Sequence, residues 1–155
     1  MNTNRTDKTR RMTGIAILSA TIIVLQILSN FVKFGPVSIT LSLAPIIIGA
    51  AIYGTGAGAI LGFVFSAVVV LTGIAGWDGG FIMLLMGISV PGLLITCLGK
   101  GTAAGWLSGV CYRAIAKKNE LAGVICAGIV CPVVNTGLFV IGMMVFLYLH
   151  FCKEL

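Results

Sequence analysis

A lysine sits inside an apolar stretch, at Leu98-Gly99-Lys100-Gly101. At membrane depth an ammonium group is costly, so it pairs, faces a cavity or snorkels toward water. Lys100 therefore reads either as an anchor for an anionic group of a ligand or as a lysine at the end of a helix. Two further polar groups stand in apolar surroundings. Asn135 and Thr136 follow Pro132 near the middle of the last apolar run. A buried amide there needs hydrogen-bond partners, which a ligand or a neighbouring helix could supply. Trp77 and Asp78 fall in a glycine-rich break, where Trp77 reads as an interfacial anchor or as part of a binding surface.

Catalysis finds no such candidates. The sequence holds no HExxH, no GxSxG and only four acidic residues, none forming a membrane-embedded pair, so no nucleophile–base arrangement stands out. The five cysteines (Cys97, Cys111, Cys126, Cys131, Cys152) form no CxxC, and His150 is the single histidine. The cysteines read as small apolar packing residues rather than metal ligands or a disulfide scaffold. The glycine clusters lack the Gly-Lys-Ser/Thr ending of a phosphate loop. Neither cofactor nor metal is expected.

The elements that must position these residues follow from composition. Of 155 residues, 59% are hydrophobic and 9% charged, against about 25% charged in soluble domains. Mean hydropathy is +1.14. So few charges cannot cover a water-facing surface, and lipid removes that requirement. The fold class is all-α integral membrane, a single transmembrane domain over 1–155. The net charge of +6 sits at the ends of apolar runs, where it signals topology rather than nucleic-acid binding.

Residues 1–11 read as a basic cytoplasmic tail; the run from Met12 is too long, and too poor in cleavage signals, for a signal peptide. Helices are expected at 13–31, from 38 or 40 to 53, and at 57–74. Pro45 predicts a kink or a late start. Beyond residue 80 two divisions compete. With six helices, 81–98, 101–116 and 121–149 all span. With five, 81–90 is a short interfacial or re-entrant piece, and one helix of about 27 residues runs from Pro91 to Lys117. Positive charge favours five: the tail and Arg113, Lys117 and Lys118 fall on one side only if an even number of crossings separates them. The last helix then ends outside.

Ala16 and Ala20, four apart on the first helix, form a small-xxx-small pair that permits close helix approach, either for a partner or within the bundle.

The string Val37-Ser38-Ile39-Thr40-Leu41-Ser42-Leu43-Ala44-Pro45-Ile46-Ile47-Ile48-Gly49-Ala50-Ala51-Ile52-Tyr53-Gly54, followed by Gly56-Ala57-Gly58-Ala59-Ile60-Leu61-Gly62-Phe63, resembles the second and third helices of the substrate-binding S components of energy-coupling factor (ECF) transporters. Lys100-Gly101 and Cys131-Pro132-Val133-Val134-Asn135-Thr136-Gly137 are similar to that family's later helices, and Ala16 with Ala20 to its docking motif. The resemblance covers nearly the whole chain.

It implies capture of a water-soluble vitamin or related micronutrient from outside a bacterial or archaeal cell. Delivery then goes through a transmembrane coupling subunit that two cytoplasmic ATPases drive, the S component toppling in the membrane. Ala16 and Ala20 would face the coupling subunit. The loop 33–39, with Lys33 and Ser38, would gate an outward pocket lined by Trp77, Asp78, Lys100, Asn135 and Thr136. A carboxylate-bearing substrate would pair with Lys100, pantothenate being one such. Family members usually have six helices, against the five favoured by charge. The alternatives are a small structural or assembly membrane protein without a ligand and, third, an autonomous channel or exporter.

Overall fold

The computed structural model describes residues 3–31, 42–76, 86–87 and 90–154. Among these the chain is helical: α1 (Thr3–Phe31), α2 (Leu43–Tyr53), α3 (Thr55–Ile74), α4 (Val90–Ala116) and α5 (Glu120–Glu154). Three of them are long and apolar enough to cross a bilayer, over Asp7–Ser29, Thr55–Ile74 and Glu120–Lys153. This is an all-α membrane protein.

Contacts between helices give their directions. Arg11 of α1 donates to the Tyr53 carbonyl of α2 at 2.6 Å, and Ser42, the residue before α2, donates to Gln26 of α1 at 2.7 Å, so these two helices run antiparallel. Gly58 and Gly62 of α3 meet Gly105 and Gly101 of α4, and Thr96 and Gly92 of α4 meet Gly142 and Phe146 of α5. Every sequential pair is thus antiparallel. One end of the bundle gathers the start of α1, the end of α2, the start of α3, the end of α4 and the start of α5. Lys8, Arg10, Arg11, Arg113, Lys117 and Lys118 lie there, with Asp7 and Glu120 as the acidic residues.

The α3–α4 contact needs glycine. Gly58 and Gly62 stand one turn apart on α3, and Gly101, Gly105 and Gly109 do the same on α4. A Cβ on Gly62 would run into the Gly101 carbonyl, and one on Gly101 into the Ser66 hydroxyl. Small residues bring the backbones together, which is how helices associate where lipid removes the hydrophobic incentive. This face also explains why α4 is not among the three apolar spans. Its glycines and Lys100 dilute its hydropathy, and much of its surface meets protein, not lipid.

Around this seam lie two apolar clusters. Ile22, Leu43, Ile46, Leu61, Phe65, Ala104 and Cys131 draw on all five helices. Val70, Leu93 and Cys97, with Phe139 and Met143 packed on them, form the second. Large apolar residues elsewhere are exposed, as a lipid-facing surface requires.

Several expectations need adjustment. α4 runs unbroken through Lys100, so the six-helix division, with its break between 98 and 101, does not hold. The short piece expected at 81–90 lies mostly outside the described residues. α1 begins at Thr3, ten residues before the expected start. Lys and Arg are good helix formers, and the Arg11–Tyr53 bond ties this basic turn to α2. α2 has the late start that Pro45 predicts, the proline sitting buried in its first turn. α5 continues to Glu154, past the expected end at 149.

Candidate functional site

Lys100 lies mid-helix in α4, half-buried, with its Nζ 4.0 Å from the centroid of the Phe139 ring on α5. The ring's negative face stabilises the ammonium where water is scarce. Phe139 follows Asn135 by one turn, so both project from one face of α5. Asn135 Oδ1 is buried and accepts no hydrogen bond among the described residues. On α3, Ser66 is fully buried against Gly101, and its Oγ also lacks a partner among the described residues. Along the α4–α5 contact a cation on an aromatic face thus lies within one helical turn of a buried oxygen, while Ser66 stands on the α3 side of α4 at the Gly101 contact.

A second polar contact lies on α1 and α2. Gln26 is 7% exposed and Ser42 fully buried, and the serine hydroxyl donates to Gln26 Oε1. Ser29, one turn on from Gln26, is buried as well. The sequence reading passed over Gln26, Ser29 and Ser66. The available signal was a polar side chain inside an otherwise apolar run. Serine weakens that signal, because its hydroxyl can satisfy itself on the preceding turn, as Ser19 does on Ile15.

Of the expected ligand residues, Lys100 and Asn135 fall in the same region. Thr136 is exposed; it is one residue from Asn135 and so about 100° round the helix, away from the α4 contact. Lys33, Ser38, Trp77 and Asp78, and the gate at 33–39, lie outside the described residues. Ala16 and Ala20 are exposed on α1, in a stripe with Met12, Ile23 and Ile27, while Ile15, Leu18, Ile22 and Gln26 turn inward. Neither alanine is buried among the described residues. Beside Phe139, an apolar crevice of about 20 Å³ lies between Gly92, Thr96, Gly142 and Phe146. It has room for about one water.

The family model of the substrate-specific component of ECF transporters matches residues 10–153. The chain belongs to that family. No curated protein and no solved structure matches the chain. An S component is the substrate-binding part of an importer, not an enzyme. Membership implies a small-molecule substrate and association with a membrane coupling subunit and ATPases.

Proposed function

We propose that this S component captures a small water-soluble vitamin or related micronutrient and holds it at Lys100 and Asn135. The observation that carries this reading is the buried Asn135 Oδ1, without a hydrogen-bond partner among the described residues and one turn of α5 from the ring that holds Lys100. Buried polar atoms are nearly always satisfied, and an orphan costs about 1–3 kcal/mol. A ligand donating to the Asn135 oxygen and bringing an anion to Lys100 relieves that cost. The chemistry favours a carboxylate with hydroxyl or amide groups, and pantothenate fits that description.

Lys33, Ser38, Trp77 and Asp78 complete the proposed lining and gate. The basic end, with the N-terminus, lies in the cytoplasm of a bacterial or archaeal cell, in keeping with the excess of Lys and Arg there. The ligand enters from the opposite side and leaves inward through the coupling subunit and two ATPases. The test is mass spectrometry of the protein purified from cells fed a vitamin mixture. One bound vitamin per chain, lost in Lys100→Met, is expected. Recovery of no small molecule, together with failure to co-purify a coupling subunit, sinks the reading.

A further inference from the structure

A groove opens between the first turns of α1 and the end of α2. It is a shallow, open groove lined by Thr9, Arg10, Thr13, Gly14, Ile17 and Tyr53, with about 410 Å³ of space over them. Its shape depends on two contacts. Arg11 donates to the Tyr53 carbonyl and holds α2 against α1. Gly14 leaves open the space that the Tyr53 hydroxyl and ring occupy, since a Cβ there would collide with them.

The lining changes character along α1. Arg10 and Thr13 stand at the start of the apolar run, and Ile17, exposed, is well inside it. The cationic part is therefore at the level of lipid headgroups and the apolar part at the level of acyl chains. Around it, the same end carries Lys8, Arg11, Arg113, Lys117 and Lys118 against Asp7 and Glu120. A strongly positive end facing an anionic leaflet attracts its lipids, and a basic pocket between helices selects one of them.

We infer that this groove seats one anionic phospholipid of the leaflet at the basic end, its phosphate on Arg10 and an acyl chain along Ile17 and the Tyr53 ring. A soluble anion satisfies only the upper half of the groove. A neutral phospholipid satisfies only the lower half. The site is separate from the Lys100 site and does not depend on which vitamin binds there.

The test is native mass spectrometry of the full chain released from nanodiscs of equimolar phosphatidylglycerol and phosphatidylcholine. One phosphatidylglycerol is expected to be retained in preference to phosphatidylcholine. Arg10→Gln lowers that retention about fivefold, as loss of one interfacial basic contact implies. Lys117→Gln, at the same end but outside the groove, leaves it within twofold. Thr13→Trp, which fills the groove without altering charge, also abolishes it, and circular dichroism checks that this variant folds. Equal retention of both lipids overturns the proposal. So does an equal loss in Arg10→Gln and Lys117→Gln, which marks diffuse attraction. So does displacement by millimolar inorganic phosphate, which marks a headgroup-only site. Unchanged lipid retention in Arg10→Gln with loss of the coupling subunit gives the groove to a protein partner and overturns it equally.

Discussion

The ammonium of Lys100 stands 4.0 Å from the centre of the Phe139 ring, across the contact between α4 and α5. The pairing keeps a charge inside the bundle and fixes its position within one helical turn of Asn135. Removing the ring and removing the charge should have different effects. Phe139→Leu deletes the aromatic face and costs about 0.5–2 kcal/mol, read as a lower melting temperature in detergent. Phe139→Tyr keeps the face and stays near the parent; an equal drop in both variants would show that the contact is not responsible. Lys100→Met, by contrast, is nearly neutral for the ligand-free protein, since an apolar replacement of a buried charge is often tolerated. It weakens a carboxylate ligand by about tenfold to a hundredfold, the range of a charged hydrogen bond, measurable by calorimetry.

Gln26 and Ser42 form a bond in which each partner depends on the other. Ser42→Ala leaves the buried amide oxygen of Gln26 without its donor and costs about 1–3 kcal/mol. Adding Gln26→Leu to that variant recovers part of the loss, because no orphan remains. A double-mutant cycle by thermal unfolding measures the coupling, and additive losses would remove the pair from any structural role.

The glycines divide by what faces them. Gly62→Ala drives a methyl into the Gly101 carbonyl and is expected to cost about 1–3 kcal/mol, as overpacking does. At Gly128 of α5 nothing lies within 4 Å of an added methyl, and Gly128→Ala is neutral or stabilising by up to about 1 kcal/mol. Expression yield and melting temperature of the two variants provide the comparison. Equal behaviour contradicts the close approach of α3 and α4.

The outward stripe of α1 makes a prediction about partners. Ala16→Leu with Ala20→Leu places two large side chains on an exposed face, so folding and ligand retention persist. Co-purification with the coupling subunit is lost. Retention of both partner and ligand removes the stripe from the interface.

Antiparallel packing of all five helices puts the start of α1 and the end of α5 at opposite ends of the bundle. Reporters fused before Met1 and after Leu155 are expected on opposite sides of the membrane, the first in the cytoplasm. Reporters on the same side contradict the reading.

Much of the architecture was legible in composition and charge. Arg113, Lys117 and Lys118 fixed the parity of crossings and thereby favoured the unbroken helix through Lys100 that the structure contains. Pro45 marked the start of α2. The early start of α1 was hidden because Arg10 and Arg11 resemble a tail by polarity, although nothing in them opposes a helix. The site was less readable. Lys100 stood out, since a charge in an apolar run has few uses. Its partner Phe139, and the pairing of Gln26 with Ser42, depend on the register between helices. That register is set by which glycines face which carbonyls, a property of two segments together. Thr136 was misleading for a simpler reason: neighbours in sequence lie on different faces of a helix, and Asn135 occupies the inner one.

The seam of Gly58, Gly62, Gly101 and Gly105 has a mechanical meaning. Where backbone rests on backbone there are no rotamers to rearrange and no side-chain volume to compress. The joint cannot breathe by the small adjustments that let ordinary helix pairs slide. Helices α3 and α4 are thus welded into a stiff plate, with α5 fastened to it through Gly142 and Lys100. Whatever torque a partner applies in the bilayer turns this plate as a solid. The yielding then occurs at its edges and in the surrounding lipid, while the spacing between Ser66, Lys100 and Asn135 is carried along unchanged.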